Sequence, residues 1–481
     1  MSGRQNSPVH DPATADGGPP GRPLDPADDP RAVRHRERAA FALGDIASNL
    51  VWTTISSYLL FFYTDVALIG AAAAGTLMLV ARLLDAVFDP VVGLLLDRTS
   101  TRWGRARPYL LFGAPLLGGL TFLTFLTPGG GGGLTVAYAA VTFVLVGFAY
   151  SLVNVPYGAA MAMTTRDSGT RMSLAGFRTF GVGLGIIVVS SLTQPLVRAI
   201  GGTEQSRSGF AWTIGGYAVV STLLIWVVFA LVRERVPLTP SARERGSTAA
   251  SLKTLLRNKP WLSVFGFSIL SFARLGVVTG GAVYFAIHAL GDPGAIPVIL
   301  LAFSLSAVVG SLLTARVLRL LGQRRGIVLG LALSVVLSVP LLFLRHDLVA
   351  FCLVFFVLNV VGGFGFVAAP ALTADTAEWQ EWRSGRRNEG LLFAGYSMST
   401  KIGAALGSAL LAWGLAAISY DPAAVTPAVS DDVVWLFIGL PAVIGLLQIA
   451  AIAPYDLERR LPSLRADLAA RAETGGPAGS L

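Results

Sequence analysis

Twelve apolar runs, each long enough to cross a lipid bilayer, constrain the fold of this chain more than any other feature. A membrane-spanning helix needs about 20 predominantly apolar residues, and a chain that repeats such runs between polar loops is typical of a polytopic membrane protein. We therefore predict an all-α membrane protein with twelve transmembrane helices. The predicted spans are residues 39–64, 71–96, 108–127, 134–160, 172–196, 211–232, 260–289, 294–319, 325–344, 348–373, 389–418 and 432–454.

The overall composition supports this fold class and excludes several kinds of function. Hydrophobic residues make up 53% of the 481 residues and charged residues only 14%, and the mean hydropathy is +0.65, outside the range of a soluble domain. The net charge of +9 is carried by arginines clustered in short loops, which indicates topology and not nucleic-acid binding. One cysteine and four scattered histidines leave no residues for a zinc site or a catalytic cluster, so we expect neither an enzyme nor a bound cofactor.

Basic residues mark one side of the predicted membrane protein. Seven arginines and lysines lie in the linker 233–259, whereas the odd-numbered connection 128–133 has no charge. By the positive-inside rule, the basic connections and both termini lie in the cytosol. The predicted domains are a disordered cytosolic tail (1–38), an N-terminal six-helix bundle (39–232), a cytosolic linker (233–259), a C-terminal six-helix bundle (260–455) and a second cytosolic tail (456–481), also expected to be disordered.

Three charged residues interrupt the second apolar run. Arg82, Asp85 and Asp89 are spaced three, four and seven residues apart, which places them on one face of an α-helix. Each charge near the bilayer centre costs roughly 3 kcal/mol, so this face is expected to turn towards the bundle interior or a watery cavity. We predict that the two acids mark an ion path with the arginine as a partner; a purely structural network is the alternative.

A weak internal repeat relates the two halves of the chain. Residues 93–108 resemble residues 310–326, with glycines at nearly equal offsets, and parallel six-helix repeats predict two bundles around a site at the membrane midplane. Ala302 and Ser306 lie in the second half where the acids of the second run would fall. The chemistry of the acids therefore belongs to the first bundle.

Further charged residues lie deep within other predicted helices. Lys401 lies roughly 18 Å into the eleventh helix and Arg178 roughly 10 Å into the fifth, from the helical rise per residue. Lys401 could instead form a structural ion pair between bundles, and Arg178 could extend to the cytosolic surface. Arg274 lies at midplane depth in the seventh helix, where a substrate carboxylate or a structural pair could hold it. Asp45 shares a helix face with Asn49 and is a candidate substrate contact.

The loop after the second helix is rich in charge. At the predicted cytosolic rim, individual exposed ion pairs contribute little, so a ligand site is not expected there. We predict that this loop is a gate and a latch between the bundles. Its candidate gating residues are Asp97, Arg98, Arg105 and Arg107.

With these motifs, the chain resembles the major facilitator superfamily and, more closely, the glycoside-pentoside-hexuronide:cation symporters, which include the melibiose and glucuronide carriers. The resemblance spans almost all of residues 40–455 and implies the major facilitator fold. The motifs that carry it are LGDIASN (43–49), YLLFFYTDV (58–66), RLLDAVFDP (82–90), TRWGRARP (101–108), YSLVNVPYG (150–158), ADTAEW (374–379) and STKIGAALG (399–407).

The resemblance also implies roles for individual residues. The implied cation-coupling residues are Asp85 and Asp89, with Ser151 as a neighbour and Lys401 beside them. The implied substrate contacts are Asn49, Asn154 and Arg178, to which Asp45 and Lys401 are added from their positions. In the melibiose carrier's pattern acids stand at the positions of Asn49 and Asn154, so the chain is more similar to the glucuronide and pentoside branch.

The function expected from this resemblance is symport of a sugar with a cation by alternating access. The partners are a glycoside, pentoside or hexuronide, a monovalent cation and the lipid bilayer of the plasma membrane, and the protein is expected to act as a monomer. Phe88 stands where the melibiose carrier's pattern has an asparagine, which removes an oxygen ligand and favours H⁺ over Na⁺ as the coupling ion, with Na⁺, held by Asp85 and Asp89, as the alternative. The rival functions are a lysolipid or drug as cargo on the same fold, and a membrane sensor or enzyme.

Overall fold

The computed structural model describes residues 33–165, 167–235, 255–384 and 389–474. Within these ranges the backbone is helical, with no β-strand and one isolated bridge between Thr101 and Gly104. In the first half the helices are α1 (His35–Phe61), α2 (Ala71–Arg98), α3 (Arg107–Thr124), α4 (Gly133–Thr164), α5 (Ser168–Gly201) and α6 (Arg207–Leu231). In the second half they are α7 (Lys259–Tyr284), α8 (Ala295–Leu321), α9 (Gln323–Phe343), α10 (Leu348–Gly362), α11 (Phe364–Ser384), α12 (Glu389–Ala417), α13 (Pro427–Val434), α14 (Leu440–Ile452) and α15 (Leu457–Thr474).

Each apolar run predicted from the sequence coincides with one helix or with two consecutive helices. Short π-helical turns extend three of them: Phe62–Val66 follows α1, Phe285–Ala289 follows α7, and Trp435–Gly439 joins α13 to α14. Among the residues that the structure describes, nine helical segments have the length and the apolar composition needed to cross a bilayer. Most of the predicted N-terminal tail (1–32) and most of the predicted linker (236–254) lie outside the described residues.

Polar side chains and glycine define where several helices begin and end. Asp167, Ser206 and Asp347 precede α5, α6 and α10, and the side chain of each accepts a hydrogen bond from a main-chain N–H of the first turn. Such caps satisfy amide groups that have no partner within the helix. Helix α5 ends at Gly201 and is followed by Gly202, whose φ of +80° is the left-handed conformation that glycine adopts without strain.

The helices of each half pack mainly with one another. In the first half α1 lies against α5 and α6, and α4 lies against α2 and α3; in the second half α7 lies against α12 and α14, and α10 lies against α8 and α9. The halves meet where α2 packs on α12, α5 on α8, and α1 on α7. The candidate functional residues lie on and beside these contacts.

The end of the molecule that carries the turn after α1 is closed by polar contacts between the halves. The Thr64 hydroxyl lies 2.6 Å from the Tyr284 hydroxyl, and the Tyr420 hydroxyl donates to Asp65 at 2.6 Å. His288 Nε2 lies 2.6 Å from the same Tyr420 hydroxyl and 3.4 Å from Asp65. Thr64, Asp65 and Tyr284 are each buried. These residues seal one end of the interface between the halves, and we call them the closing cluster.

The predicted C-terminal tail contains a helix. Helix α15 buries Leu457, Leu461 and Leu464 on one face, a spacing of four and three residues. Arg465 on this helix forms an ion pair with Glu378 of α11 at 2.7 Å. The expectation of disorder was therefore wrong for residues 457–474, because three leucines at helical spacing suffice to dock a short helix onto a neighbouring one.

Candidate functional site

The two acids of α2 are paired with a lysine from the other half of the molecule. The Lys401 ammonium of α12 lies 2.7 Å from Asp89 Oδ2 and 3.3 Å from Asp85 Oδ2. It also donates a hydrogen bond to the main-chain carbonyl of Asp85 at 3.1 Å. The exposed fraction of the side chain is 4% for Asp85 and 31% for Asp89, so only one of the two acids is open to the space beside it. This arrangement links the halves through a charged contact.

Ser151 of α4 completes this group. Its hydroxyl oxygen lies 2.6 Å from Asp89 Oδ1 and 3.1 Å from Asp85 Oδ1, so it bridges the two carboxylates on the side opposite Lys401. Gly147, one helical turn earlier, faces Asp85, and a Cβ atom there would lie 3.4 Å from Asp85 Oδ1, in ordinary van der Waals contact. The four residues assigned to cation coupling from the sequence therefore lie together, and we call Asp85, Asp89, Ser151 and Lys401 the acid–lysine site.

Arg82 has a different partner from the one that its spacing suggested. It is buried on the same helix as the acids, but its guanidinium carbon lies 3.9 Å from the centre of the Trp52 ring. Its Nε has no hydrogen-bond partner among the described residues. An aromatic face attracts a cation in a desolvated setting, so Trp52 holds the arginine in place. The ion-pair partner of the acids is Lys401 and not Arg82.

A second charged group lies between α1, α4 and α5. Arg178 donates two hydrogen bonds to Asp45, from Nε to Oδ2 at 2.7 Å and from Nη2 to Oδ1 at 3.1 Å. The Tyr157 hydroxyl lies 2.8 Å from Asp45 Oδ2, and its ring lies 4.7 Å from the guanidinium carbon. Two parallel bonds of this kind are the strongest arrangement of arginine and carboxylate. Arg178 thus binds an acid inside the molecule, with 26% of its side chain exposed.

The two candidate asparagines differ in their hydrogen bonding. The Asn49 amide nitrogen donates to the Asp45 carbonyl at 2.9 Å, and Thr53 donates to its oxygen at 3.5 Å. The Asn154 amide nitrogen is buried and makes no hydrogen bond of normal geometry among the described residues, although the Tyr150 hydroxyl lies near its side chain. Leaving such a donor unsatisfied costs about 1–3 kcal/mol. Asn154 is therefore a group that a hydroxyl or carbonyl oxygen of a ligand would stabilise.

Helix α4 connects these two groups. Ser151, Asn154 and Tyr157 follow one another at intervals of three residues on α4, with Ser151 in the acid–lysine site and Tyr157 at Asp45. Tyr150 packs against Trp52 with ring centres 5.1 Å apart. One helix of the first half therefore contributes a side chain to each of the two groups.

The predicted gate is anchored within the first half. The Glu234 carboxylate, which follows α6, accepts hydrogen bonds from the main-chain N–H groups of residues 105–107. Arg107 also donates to the Phe229 carbonyl at 2.8 Å. Asp97 and Arg98 are exposed to solvent. A latch from this loop to the second half stays a prediction.

Comparison with known proteins identifies the group to which the chain is related. A family model described as MFS/sugar transport protein matches residues 40–459. The chain belongs to this family. It is 32% identical over 471 residues to an isoprimeverose transporter of Lactiplantibacillus pentosus, covering 92% of this chain and 94% of the relative. It is 33% identical over 427 residues to the inner membrane symporter YicJ of Escherichia coli K12, covering 86% of this chain and 90% of the relative.

The fold of this MFS/sugar transport protein is also similar to that of solved transporters. The crystal structure of a mutant of the nucleoside transporter NupG aligns with a TM-score of 0.65 at 16% identity, covering 86% of this chain and 99% of the other. At this identity the likeness concerns the fold alone. Within the described residues, no group of three or more His, Cys, Asp or Glu side chains forms a metal site.

Several residues of this family member could not be assigned from the sequence. The closing cluster contains Asp65, His288 and Tyr420, whose partners lie more than 130 residues apart in the chain. Asp65 and His288 lie at the ends of otherwise apolar runs, and such ionisable residues could have indicated a polar contact there. Tyr157 and Trp52 gave no signal, because a buried aromatic residue in a membrane helix is ordinary.

Proposed function

We propose that the protein is a secondary active transporter of the plasma membrane that takes up a glycoside, pentoside or hexuronide together with a monovalent cation. Twelve helices in two six-helix bundles, with both termini in the cytosol, alternate access around one central site in a monomer. Membership of the sugar-transport family supports this function, as do relatives named as an isoprimeverose transporter and a symporter. The observation that carries the proposal is the contact of Lys401 with Asp85 and Asp89.

In this proposal, Lys401 occupies the cation site when no coupling ion is bound. Its ammonium already compensates the two carboxylates, at 2.7 and 3.3 Å. The acids belong to α2 and the lysine to α12, so the same contact holds the halves together. An arriving cation competes with the ammonium for the carboxylates. Binding therefore loosens one contact between the halves, and this is the step that couples the ion to the conformational change.

In this proposal, α4 couples sugar binding to cation binding. Ser151 contacts the acids, and Asn154, one turn further along the same helix, offers an unsatisfied amide to the substrate. Asp45 and Arg178 supply an acceptor and a rigid fork of donors, which suit vicinal hydroxyls or a carboxylate. A shift of α4 that improves sugar contacts therefore also changes the cation ligands. Reciprocity then requires the sugar to tighten cation binding by the same factor.

The acid–lysine site favours H⁺ as the coupling ion. A hard metal cation needs several oxygen ligands at once, and the side-chain oxygens here come from Asp85, Asp89 and Ser151. Phe88 packs against Phe148 with ring centres 5.4 Å apart and supplies no oxygen. A proton needs only one carboxylate, and Asp89 is the more accessible. Main-chain carbonyls could complete a Na⁺ shell, so Na⁺ is the alternative.

The cytosolic end opens and closes, in this proposal, through the loop after α2. Asp97, Arg98, Arg105 and Arg107 flank this loop, and its anchor to Glu234 makes it move with α6. The closing cluster at the opposite end then faces the exterior. With this orientation, the closing cluster seals the exterior side while Lys401 contacts the acids.

The test is uptake of labelled sugars into proteoliposomes at a clamped membrane potential, with xylosides, glucuronides and galactosides as the panel. We expect a pH gradient alone to drive accumulation of one sugar class, and a sodium gradient alone to drive none. Sugar accumulation that is driven by a sodium gradient and does not depend on pH would show that the coupling ion is Na⁺ and not H⁺. Failure of every sugar, with transport of a lysolipid or drug, would refute sugar transport.

A further inference from the structure

Arg274 is a buried charge that the transport mechanism does not use. It lies in α7 with 8% of its surface exposed. Lys401 and Arg178 pair with acids, and Arg82 lies over Trp52. For Arg274, no acid within ion-pair distance, no hydrogen-bond acceptor and no aromatic face is found among the residues that the structure describes. A charge with no partner in the interior of a membrane protein costs several kcal/mol.

The surroundings of Arg274 are shaped to hold its guanidinium. A Cβ atom at Gly362 would lie 2.6 Å from Nη1 and 3.0 Å from Nη2, so a side chain at this position would displace the guanidinium from where it lies. Helix α10 ends at this glycine, and α11 begins two residues later at Phe364. The negative C-terminal end of α10 and the positive N-terminal end of α11 therefore meet beside the guanidinium, and their dipole potentials offset each other. The positive charge at this place is that of the guanidinium itself.

A small cavity opens beside the guanidinium. Its volume is ≈ 20 Å³, and about 10–15 Å³ suffices for one water molecule on the same scale. Ser334, Ser338 and Asn359 contribute polar groups to its wall, and Phe355 and Phe437 contribute apolar surface. Both serine hydroxyls bond to main-chain carbonyls of their own helix, and a hydroxyl can rotate to donate elsewhere. The space fits one particle the size of water or slightly larger.

We propose that this cavity binds one small inorganic anion, of which chloride is the physiological example. An anion compensates the guanidinium charge, whereas a water molecule only solvates it. A sugar carboxylate does not suit the site, because the cavity is lined by helices of the second half alone and has no room for a sugar ring. The anion would stabilise the packing of α7 on α9, α10 and the segment around Phe437. This inference does not depend on the transported substrate.

The test is thermal unfolding of the purified full-length protein in detergent, with sodium chloride replaced by sodium methanesulfonate at constant ionic strength. We expect chloride and bromide to raise the melting temperature by roughly 2–5 °C in a saturable manner. Arg274→Gln should abolish this response. Arg319→Gln, which neutralises an exposed arginine of the same half, should retain it. A parent protein indifferent to chloride, or an Arg274→Gln variant that responds as the parent does, would refute the proposal.

Direct measurement of chloride binding tests the proposal even if the Arg274→Gln variant does not fold. Radioactive chloride should bind the parent protein at about one ion per chain, and Gly362→Ala, which invades the guanidinium space, should weaken that binding at least tenfold. Absence of saturable chloride binding to the parent would overturn the anion site. So would stabilisation by glucuronate and not by chloride, which would assign Arg274 to a substrate carboxylate.

Discussion

Replacing Lys401 with glutamine tests whether this lysine competes with the coupling cation. The change removes the ammonium that lies 2.7 Å from Asp89 and 3.3 Å from Asp85 and leaves a neutral side chain of similar length. If the lysine occupies the cation site, its loss should make the two acids bind a cation more tightly. If it only helps to build the site, its loss should weaken cation binding or leave it unchanged.

The magnitude follows from the distances. Two unit charges at 2.7 Å interact by about 6 kcal/mol at an effective dielectric constant of about 20, and removal of one partner of a buried pair typically costs about 3–5 kcal/mol. Because the Asp89 side chain is 31% exposed, solvent screens part of the attraction between the ammonium and the carboxylates. We therefore use about 3 kcal/mol for the free energy by which Lys401 opposes cation binding. Since a factor of ten in affinity corresponds to about 1.4 kcal/mol, the dissociation constant of the coupling cation should fall about 100-fold.

The assay is sugar exchange and sugar accumulation measured across pH in proteoliposomes. We expect the concentration of the coupling cation that gives half of the cation-dependent sugar binding to be about 100-fold lower for Lys401→Gln than for the parent. Accumulation should fall because the cation is released slowly inside. Lys401→Arg should keep the parent profile, since it keeps the charge. Lys259→Gln, which neutralises an exposed lysine at the start of α7, is the matched control. Unchanged or weaker cation binding by Lys401→Gln would refute the competition.

Four further predictions concern single contacts. Asp89→Asn should abolish sugar accumulation while sugar exchange persists, because the negative charge that binds the cation is removed. Uphill uptake at the parent rate would contradict this. Arg178→Ala should lower sugar affinity about 100-fold in equilibrium binding, since Asp45 loses its partner inside the protein, and normal affinity would remove Arg178 from the substrate site. Ser151→Ala should weaken cation affinity about fivefold, the value of one hydrogen bond, with sugar-only binding as the control. Tyr420→Phe should speed amide hydrogen exchange in residues 62–68 about tenfold, because the closing cluster loses a bond; unchanged exchange would show that this end closes by apolar packing alone.

The helices and the acids of α2 could be predicted from the sequence because both are local patterns. A run of about 20 apolar residues specifies a membrane helix without reference to the rest of the chain. The spacing of Asp85 and Asp89 specifies one helix face in the same way. The identity of their partner is not local. Arg82 is three residues from Asp85, yet the partner is Lys401, 316 residues away in the chain.

The neighbouring helices decided that choice. Arg82 packs on Trp52 of α1, whereas Asp85 and Asp89 contact Lys401 of α12. The sequence of segment 81–90 does not indicate which neighbouring helix places an aromatic ring beside it and which places a lysine there. The same reasoning applies to α15, whose three leucines become informative only beside the surface of α11 that they cover.

The contacts between the halves also constrain the order of events in transport. The closing cluster joins Asp65 to Tyr420 at one end, and the acid–lysine site joins α2 to α12 deeper in the molecule. Both contacts hold a carboxylate of the first half with a donor of the second half. In the proposed mechanism, opening the closing cluster requires the bond from Tyr420 to Asp65 to break. The proposed cation binding at Asp89 would act on the acid–lysine site and free α12, the helix that ends three residues before Tyr420. Release of Lys401 is the step that we propose to connect the cation site with the closing cluster.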